Sequence, residues 1–304
     1  MKLLVDFLVY FLVRVVICVA QAIRFETGQM IARRLAWLFA DVLKVRGQVV
    51  AENLRQAFPD WTESRYRRTR RRMWEHLFLL ALEVAHTPRK IHDTNWRRFV
   101  SLRGKKPLVR LLLSNHPTVI VTGHIGNFEV GGYILGVLGF PTYTVARTLD
   151  NPFLNDFVDG FRGQTGQYII PKNGGYDQIM GVMDAGGTLT LLSDQHAGDK
   201  GCWVDFFGRP ASAHKAIALL ALESSAILAV SGVLRLEGKM RFELGVRAMF
   251  DPMSSGDDQL STVRGLTQWY THRLEEIISA TPDQYWWLHR RWREKPRRRN
   301  RQAA

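Results

Sequence analysis

Apolar residues fill the first segment of the chain almost without interruption. Residues 3–23 contain fourteen Leu, Ile, Val or Phe side chains, and about 20 apolar residues are enough to cross a bilayer as a helix. Arg14 near the middle and Asp6 near the start oppose insertion, because charged groups are costly in hydrocarbon. The segment therefore predicts a membrane helix, either spanning the bilayer or lying in its interface. The Ala-Gln-Ala sequence at 20–22 also resembles a signal-peptide cleavage site, which leaves a third interpretation open.

From about residue 118 onward, short β-branched runs alternate with longer segments of helical periodicity, and Gly, Pro and Asn separate them. Alternating strands and helices are typical of a mostly parallel sheet covered by helices. We therefore predict an α/β fold with a mostly parallel central sheet flanked by helices and preceded by the apolar N-terminal helix. Strands are predicted at 119–122, 142–146, 168–170, 188–192, 226–235 and 241–246, and helices at 127–138, 152–162, 175–184, 211–223 and 260–279.

The pattern also suggests how the chain is divided. A charged, poorly periodic stretch at 88–107 contains Pro88, Gly104 and Pro107 and is typical of a boundary. Ligands of open α/β sheets bind beyond the carboxyl ends of the strands, which directs attention to the loops that follow the predicted strands. The predicted organisation is an anchor helix at 1–24, a helical, membrane-proximal basic region at 25–106, an α/β core at 107–296 and a basic tail at 297–304.

Charge is concentrated in two segments. Residues 65–72 hold six Arg and no acid, and residues 289–301 carry seven Arg and one Lys against one Glu, so together they account for most of the net charge of +14. Such patches bind anionic lipid surfaces or nucleic acid. An apolar half follows the first patch at 73–86, and this pattern fits either a lipid-interface helix or a core helix with a basic first turn.

Composition narrows the class of protein further. With 304 residues, 46% of them hydrophobic, the chain can bury a sizeable core, which excludes a disordered or collagen-like chain. Cys18 and Cys202 are the two cysteines of the sequence. They offer neither metal-ligand spacing nor a disulfide framework, which favours a reducing compartment.

The loop after the first core strand carries the clearest candidate chemistry. His124 follows the strand, Glu129 stands five residues later, and Gly123 and Gly126 permit a tight turn and a close approach of substrate. A histidine with a carboxylate is the minimum needed to activate a hydroxyl by general-base catalysis. The two side chains can cooperate only if His124 is in the loop and Glu129 in the first helical turn, because residues five apart lie about 140° apart on a helix.

Other chemistries find little support in the sequence. It contains no Gly-x-Ser-x-Gly elbow for a serine nucleophile, no cluster with metal-ligand spacing, and no glycine-rich phosphate loop. We therefore expect no metal and no cofactor. A histidine and acid without a protein nucleophile point to direct transfer, in which an acceptor hydroxyl attacks an activated acyl group.

Five sequence blocks stand out along the chain. They are NLRQAFPDW at 53–61, TGHIGNFE at 122–129, ARTLDNPFL at 146–154, SDQHAGDKGCWVDFFGRPA at 193–211, and PDQYWWLHRRWREKP at 282–296. Together they resemble the late acyltransferases of lipid A biosynthesis, the lauroyl and myristoyl transferases, whose wider relatives include glycerophosphate acyltransferases. The resemblance extends from about residue 35 to 296, with the blocks in the family's order and at family-like spacing.

The resemblance implies a glycerolphosphate-acyltransferase-like fold and a role for each block. His124 is the expected general base and Glu129 its partner. Further residues are expected to bind substrate, with Asp194 and Gln195 facing the site and the arginines holding phosphates or the oxyanion. These substrate-binding residues are Arg147, Asn151, Asp194, Gln195, Arg290 and Arg291. Trp203, Phe206 and Phe207 are expected to line a groove for the acyl chain.

The resemblance also implies partners and a location. The expected donor is an acyl-carrier-protein or CoA thioester, and the expected acceptor is a hydroxyl of a lipid A precursor or related glycolipid. Anionic membrane lipids are further partners, and nucleic acid is not expected. The resemblance implies a cell inner-membrane protein. If the helix spans the membrane, Arg24, Arg33 and Arg34 outnumber Lys2 across it, which predicts that the body lies on the cytoplasmic side. Another lipid acceptor, a membrane-bound nucleic-acid-binding protein and a non-catalytic scaffold remain the alternatives. Acyl-chain length is not fixed by the sequence.

Overall fold

The computed structural model describes residues 1–254 and 258–293. The first part of the chain is helical, and strands and helices alternate in most of the rest. The helices are α1 (Lys2–Ala22), α2 (Phe25–Trp37), α3 (Gly47–Ala57), α4 (Glu63–Lys90), α5 (Lys105–Leu113), α6 (Phe128–Val137), α7 (Pro152–Gly163), α8 (Tyr176–Asp184), α9 (Ala216–Glu223) and α10 (Val263–Ala280). The strands are β1 (Val100–Arg103), β2 (Thr118–Thr122), β3 (Thr142–Ala146), β4 (Gln167–Pro171), β5 (Thr188–Leu192), β6 (Cys202–Phe206), β7 (Arg209–Ala213), β8 (Ile227–Arg235) and β9 (Phe242–Phe250).

Within the described residues, seven strands form one sheet in the order β1-β9-β8-β2-β5-β3-β4. Neighbouring strands are parallel except β8 and β9, which are antiparallel. Every residue of β2 is buried, because a central parallel strand is covered on both faces. The structure therefore confirms the predicted α/β fold with a mostly parallel central sheet flanked by helices.

Two parts of the core differ from the prediction. The helix predicted over 211–223 begins only at Ala216, and the residues before it form a β-hairpin from β6 and β7. Phe207 and Gly208 have φ values of 51° and 70°, and two consecutive positive φ values suit a two-residue hairpin turn. In addition, β1 lies in the stretch interpreted as a domain boundary, yet it pairs with β9 at the edge of the core sheet.

Helix α1 is long and apolar enough to cross a membrane. Most of its large side chains are exposed, while one side packs on α7, where the rings of Phe7 and Tyr10 lie 5.6 and 5.9 Å from that of Phe153. This length and composition are common to spanning helices, interfacial helices and signal peptides.

The arginine-rich segment 65–72 forms the first turns of α4. Thr62 caps this helix by accepting a hydrogen bond from the backbone N–H of Arg65. The apolar half that follows packs into the protein, since Trp74 and Leu79 are buried. Of the two interpretations of this segment, the structure favours a core helix with a basic beginning. The second basic segment is described only to residue 293, so the predicted tail at 297–304 lies outside the described residues.

Candidate active site

The site is built where two neighbouring strands end. His124 follows β2 and Asp194 follows β5, and these strands are paired in parallel. The Nδ1 atom of His124 lies 2.9 Å from Asp194 Oδ1, and the backbone N–H of His124 donates to Oδ2 over 3.0 Å. The carboxylate of Asp194 thus binds both the ring and the backbone of His124, at the carboxyl edge of the sheet where ligands bind in such folds.

Glycines allow the loop around His124 to take this path. A Cβ atom at Gly123 would lie 3.0 to 3.3 Å from atoms of the Asp194 side chain. At Gly126, φ is +59° and a Cβ would lie 1.9 Å from the carbonyl oxygen of Val233. The first glycine lets the carboxylate approach, and the second lets the loop press against β8.

The C-terminal part of the described chain also holds this loop. The backbone N–H of Trp286 donates to the carbonyl of His124 over 3.1 Å, and that of Gly126 donates to the carbonyl of Gln284 over 2.8 Å. The rings of Phe128 and Trp286 meet the imidazole at 5.0 and 5.5 Å between centroids, in edge-on arrangements. The imidazole is therefore held by two aromatic rings, those of Phe128 and Trp286, in addition to its hydrogen bond with Asp194.

The hydrogen bonds define the state of the histidine. A carboxylate can only accept, so Nδ1 of His124 carries a proton, and the lone pair of the neutral ring is on Nε2, where the side-chain nitrogen of Gln195 lies 3.3 Å away. Burial alone would lower the pKa of His124, but the charge and hydrogen bond of Asp194, together with the charge of Glu129, raise it overall. Burial would raise the pKa of Asp194, but the charge and hydrogen bonds of His124 lower it. The pair is thus arranged to stabilise an imidazolium when Nε2 accepts a proton.

A cavity of about 380 Å³ opens beside His124. Its wall comes from the sheet and from α6, and its polar groups lie on the loops beyond the strands. The apolar lining includes Ile120, Leu135, Val145, Leu192, Val233 and Leu244. The polar and charged lining includes His124, Glu129, Arg147, Arg162, Gln167, Lys172, Gln195 and His214. The cavity therefore offers apolar surface together with three cationic side chains and the imidazole.

Glu129 lies in the first turn of α6, as expected, but its partner differs from the prediction. Its two carboxylate oxygens accept hydrogen bonds from Arg162, at 2.7 Å from Nη2 and 3.1 Å from Nε. From its position on α6 the side chain reaches α7, where the guanidinium offers a matching pair of donors. The ring of His124 donates its hydrogen bond to Asp194 instead. Glu129 still lines the same cavity and still acts on His124 through its charge.

The second sequence block divides between two places. Arg147 lines the cavity and pairs with Asp150 at 2.9 Å, although both side chains are largely exposed. Asn151 instead caps α7 by accepting from the backbone N–H of Leu154 at 3.1 Å, and its side-chain nitrogen donates to the carbonyl of Asp6 at 2.8 Å. The structure therefore gives Asn151 a structural task, holding α1 on α7, in place of the substrate contact expected of it.

Of the remaining residues expected to bind substrate, Gln195 lies at the cavity, whereas Arg290 and Arg291 do not line it. Gln195 lines the cavity, and its Nε2 lies 3.3 Å from His124 Nε2. Arg290 is exposed. Arg291 is buried, donates to the carbonyl of Ser212 over 2.5 Å, and lies 5.0 Å from the centroid of Phe206. This buried guanidinium supports the β6–β7 hairpin and does not line the cavity beside His124.

The aromatic residues expected to form an acyl groove lie elsewhere. Trp203, Phe206 and Phe207 belong to the hairpin of β6 and β7, and Phe206 packs against Phe207 and Trp292 at 4.8 and 5.5 Å. This cluster is separate from the cavity, whose apolar wall includes aliphatic residues of α6 and of strands β2, β3, β5, β8 and β9. None of the three lines the cavity beside His124, and large aromatic side chains often serve the core because they bury much surface.

Sequence reasoning missed several residues at the cavity, among them Arg162, Lys172 and His214. Lys172 directly follows β4, so the rule that ligands bind beyond strand ends could have found it. Arg162 ends α7 and carries no such signal. Its place becomes evident only when α6 and α7 pack side by side.

A buried acid that orients a histidine at the carboxyl edge of a parallel sheet, next to a partly apolar cavity, is an arrangement that can activate a nucleophile by general-base catalysis. The comparison with known proteins makes this chemistry specific. The chain belongs to the bacterial lipid A biosynthesis acyltransferase family, whose model matches residues 1–294, and it is therefore an acyltransferase.

Two curated relatives are similar to most of the chain. The lipid A biosynthesis palmitoleoyltransferase of Escherichia coli (strain K12) is 23% identical over 270 residues, which cover 86% of this chain and 84% of the relative. The lipid A biosynthesis acyltransferase of Shigella flexneri has the same identity and coverage. The resemblance expected from the five sequence blocks is thus confirmed.

Proposed function

We propose that this enzyme transfers a fatty acyl chain from an acyl-carrier-protein or CoA thioester to a hydroxyl of a lipid A precursor. One observation carries the proposal most directly. Asp194 holds the protonated Nδ1 of His124 and leaves Nε2 as a base beside a cavity with an apolar wall and cationic groups. Family membership and the names of both relatives support lipid A as the acceptor.

The geometry suggests a direct transfer. Nε2 of His124 removes the proton of the acceptor hydroxyl as its oxygen attacks the thioester carbonyl carbon. The tetrahedral intermediate collapses with cleavage of the carbon–sulfur bond, and the departing thiolate receives the proton from the imidazolium. The products are an ester and a free thiol, and the histidine is regenerated. Asp194 fixes the tautomer and stabilises the imidazolium. This reaction requires no metal or cofactor.

The cationic residues of the cavity suit anionic substrates. Arg147, Arg162 and Lys172 line it, and phosphate groups are favourable partners for guanidinium and ammonium groups. Glu129 fixes Arg162 through two hydrogen bonds, so we assign Glu129 the task of aiming that arginine in addition to its electrostatic effect on His124. The aliphatic wall around Leu135 and Val233 would receive the acyl chain.

The location follows from the same chemistry. An acyl carrier protein and the lipid acceptor are both anionic, and the arginines at the start of α4 would attract them to a membrane-bound body. The arginines that follow α1 favour the cytoplasmic side of the inner membrane. Steeply salt-dependent binding of nucleic acid without acyl transfer would support the alternative class.

The direct test is an acyl-transfer assay on membranes that contain the full chain. Labelled acyl-carrier-protein and CoA thioesters of several chain lengths are offered with lipid A precursors and, separately, with lysophospholipids. We expect transfer to the lipid A precursor, and a loss of about 10²–10⁴-fold in His124→Ala. Transfer only to lysophospholipid would overturn the acceptor, and full activity of His124→Ala would overturn the mechanism.

A further inference from the structure

A buried ionic network lies behind the His124 loop, on the side away from the residues assigned to the reaction. Arg235, the last residue of β8, donates to both carboxylate oxygens of Glu83 on α4, at 2.5 Å from Nε and 2.7 Å from Nη2. The side chain of Glu83 is only 1% exposed and that of Arg235 only 13%. A bidentate pair of this kind fixes the geometry of both partners.

His76 lies about two turns before Glu83 on the same side of α4 and extends this network to the loop. A guanidinium can only donate, so the 2.5 Å contact from Arg235 Nη1 makes Nδ1 of His76 an acceptor. The proton of the neutral ring must then be on Nε2, which donates to the carbonyl of Gly126 over 3.1 Å. Burial and the charge of Arg235 lower the pKa of His76 well below its ordinary value, which keeps this ring neutral and its hydrogen-bond pattern fixed.

Glu83 makes a second connection to the loop. The side-chain nitrogen of Asn127 donates to Glu83 Oε2 over 2.8 Å, while its oxygen caps α6 by accepting from the backbone N–H of Val130. Gly126 and Asn127 are thus both held from α4, two and three residues after His124. Their backbone N–H groups are held from the other side by the carbonyls of Gln284 and Val233.

Stability alone does not explain a buried network of His76, Glu83 and Arg235. Buried ion pairs carry a large desolvation cost, and apolar replacements of similar volume are often as stable or more stable. Here the polar groups converge on two consecutive residues of the loop that carries the base. The network therefore has a geometric consequence that an apolar core would not supply, namely a fixed position for the carbonyl of Gly126 and the side chain of Asn127.

We propose that His76, Glu83 and Arg235 are positioning residues that hold the loop of His124 in its productive geometry for acyl transfer. The inference rests on the proposed function, because it assigns these residues to that reaction. None of them touches the cavity beside His124. They act through Gly126 and Asn127, and a displacement of the base by about 1 Å is enough to lower a rate by about 100-fold.

The sharpest test compares two replacements at one position. In His76→Gln the amide can accept from Arg235 and donate to Gly126, as the neutral imidazole does. In His76→Phe neither hydrogen bond can form, although an aromatic ring still fills the site. We expect kcat to fall about 100-fold in His76→Phe with little change in KM for the acyl donor, and to stay within about 5-fold of wild type in His76→Gln.

A second comparison removes the charges together. Glu83→Gln with Arg235→Met leaves no unpaired buried charge and keeps an acceptor for Asn127. The matched control is Arg247→Met, because Arg247 is also 13% exposed and pairs with Glu243 at 2.5 Å, in a part of β9 outside the network. We expect kcat to fall in the double variant and to be retained in the control, with melting temperatures measured for both.

The outcomes separate this inference from the proposed function. Wild-type kcat in a folded His76→Phe enzyme would overturn the positioning role, as would a loss of kcat in Arg247→Met equal to that of the double variant. Equal losses in His76→Gln and His76→Phe would overturn the hydrogen-bond argument. Absence of acyl transfer in the wild-type enzyme itself would instead contradict the proposed function.

Discussion

Two regions of this enzyme carry dense sequence motifs, and they serve different ends. At the carboxyl edge of the sheet, His124 and Asp194 meet over 2.9 Å beside an open cavity. In the β6–β7 hairpin, Phe206 and Arg291 are equally distinctive in sequence but are buried against each other. The difference lies in what each region exposes. The edge exposes an imidazole and cationic side chains to the cavity, whereas Phe206 and Arg291 of the hairpin region are buried.

The comparison predicts its largest effect at Asp194. Asp194→Asn removes the charge that stabilises the imidazolium and permits the wrong tautomer of His124, so we expect kcat to fall about 10²–10⁴-fold. The measurement is single-turnover acyl transfer with a saturating donor. Activity within about 3-fold of wild type would show that the carboxylate is dispensable and would remove the basis of the comparison.

A change in the cavity wall should alter which lengths of acyl chain the enzyme transfers. Leu135 is buried and lines the cavity, so Leu135→Phe reduces the space available to the acyl chain. We expect transfer of the longest accepted chain to fall about 10-fold or more relative to a chain shorter by four carbons. The check is a competition between the two donors in one reaction. An unchanged ratio would mean that the acyl chain lies elsewhere.

A substitution in the β6–β7 hairpin should leave the preference for acyl-chain length unchanged. Phe206 is almost fully buried, so Phe206→Leu should lower the free energy of unfolding by about 1 kcal/mol, mainly through lost ring contacts. Thermal unfolding and the same donor competition are measured together. A changed chain-length ratio at unchanged stability would restore the hairpin as part of the acyl groove.

The smallest effect is expected at the exposed side of the cavity. The Arg147–Asp150 pair is exposed on both sides and contributes little to stability. Arg147→Gln should raise KM for the phosphorylated acceptor about 3-fold, reduce its salt dependence, and leave kcat unchanged. Initial rates at two ionic strengths provide the measurement. A fall in kcat would place Arg147 among the groups that act in the transition state.

The sequence predicts the elements of the core well where periodicity is local. Strands β3 and β5 have the predicted bounds, and β2 and α7 differ from prediction by one residue at one end. The small residues of β7 were placed in a helix because Ala and Ser fit a helical segment as readily as a buried strand. Strand β1 is short and lies at the sheet edge. The charged residues on both sides of it in the sequence leave no clear alternation of apolar and polar positions that would predict a strand.

The candidate site was predictable only in part, for a physical reason. His124 stands out because it follows a strand and lies between glycines. Its partner Asp194 is 70 residues away, and only the order of the strands brings β2 and β5 together. Glu129 is near in sequence, but the direction of its side chain depends on how α6 packs on α7. Short spacing therefore favoured the nearer acid, while the tertiary structure gave the hydrogen bond to the distant one.

The proposed reaction depends most on Asp194 as the partner of His124, and a pH–rate profile tests this pairing directly. The base must be neutral, so the rate rises with pH through the pKa of His124, which Asp194 and, to a smaller extent, Glu129 raise. Acyl transfer is measured from pH 5 to 9 for the wild type, Asp194→Asn and Glu129→Gln. We predict that the acidic limb moves to lower pH in both variants, and further in Asp194→Asn. An acidic limb that moves only in Glu129→Gln would contradict the account.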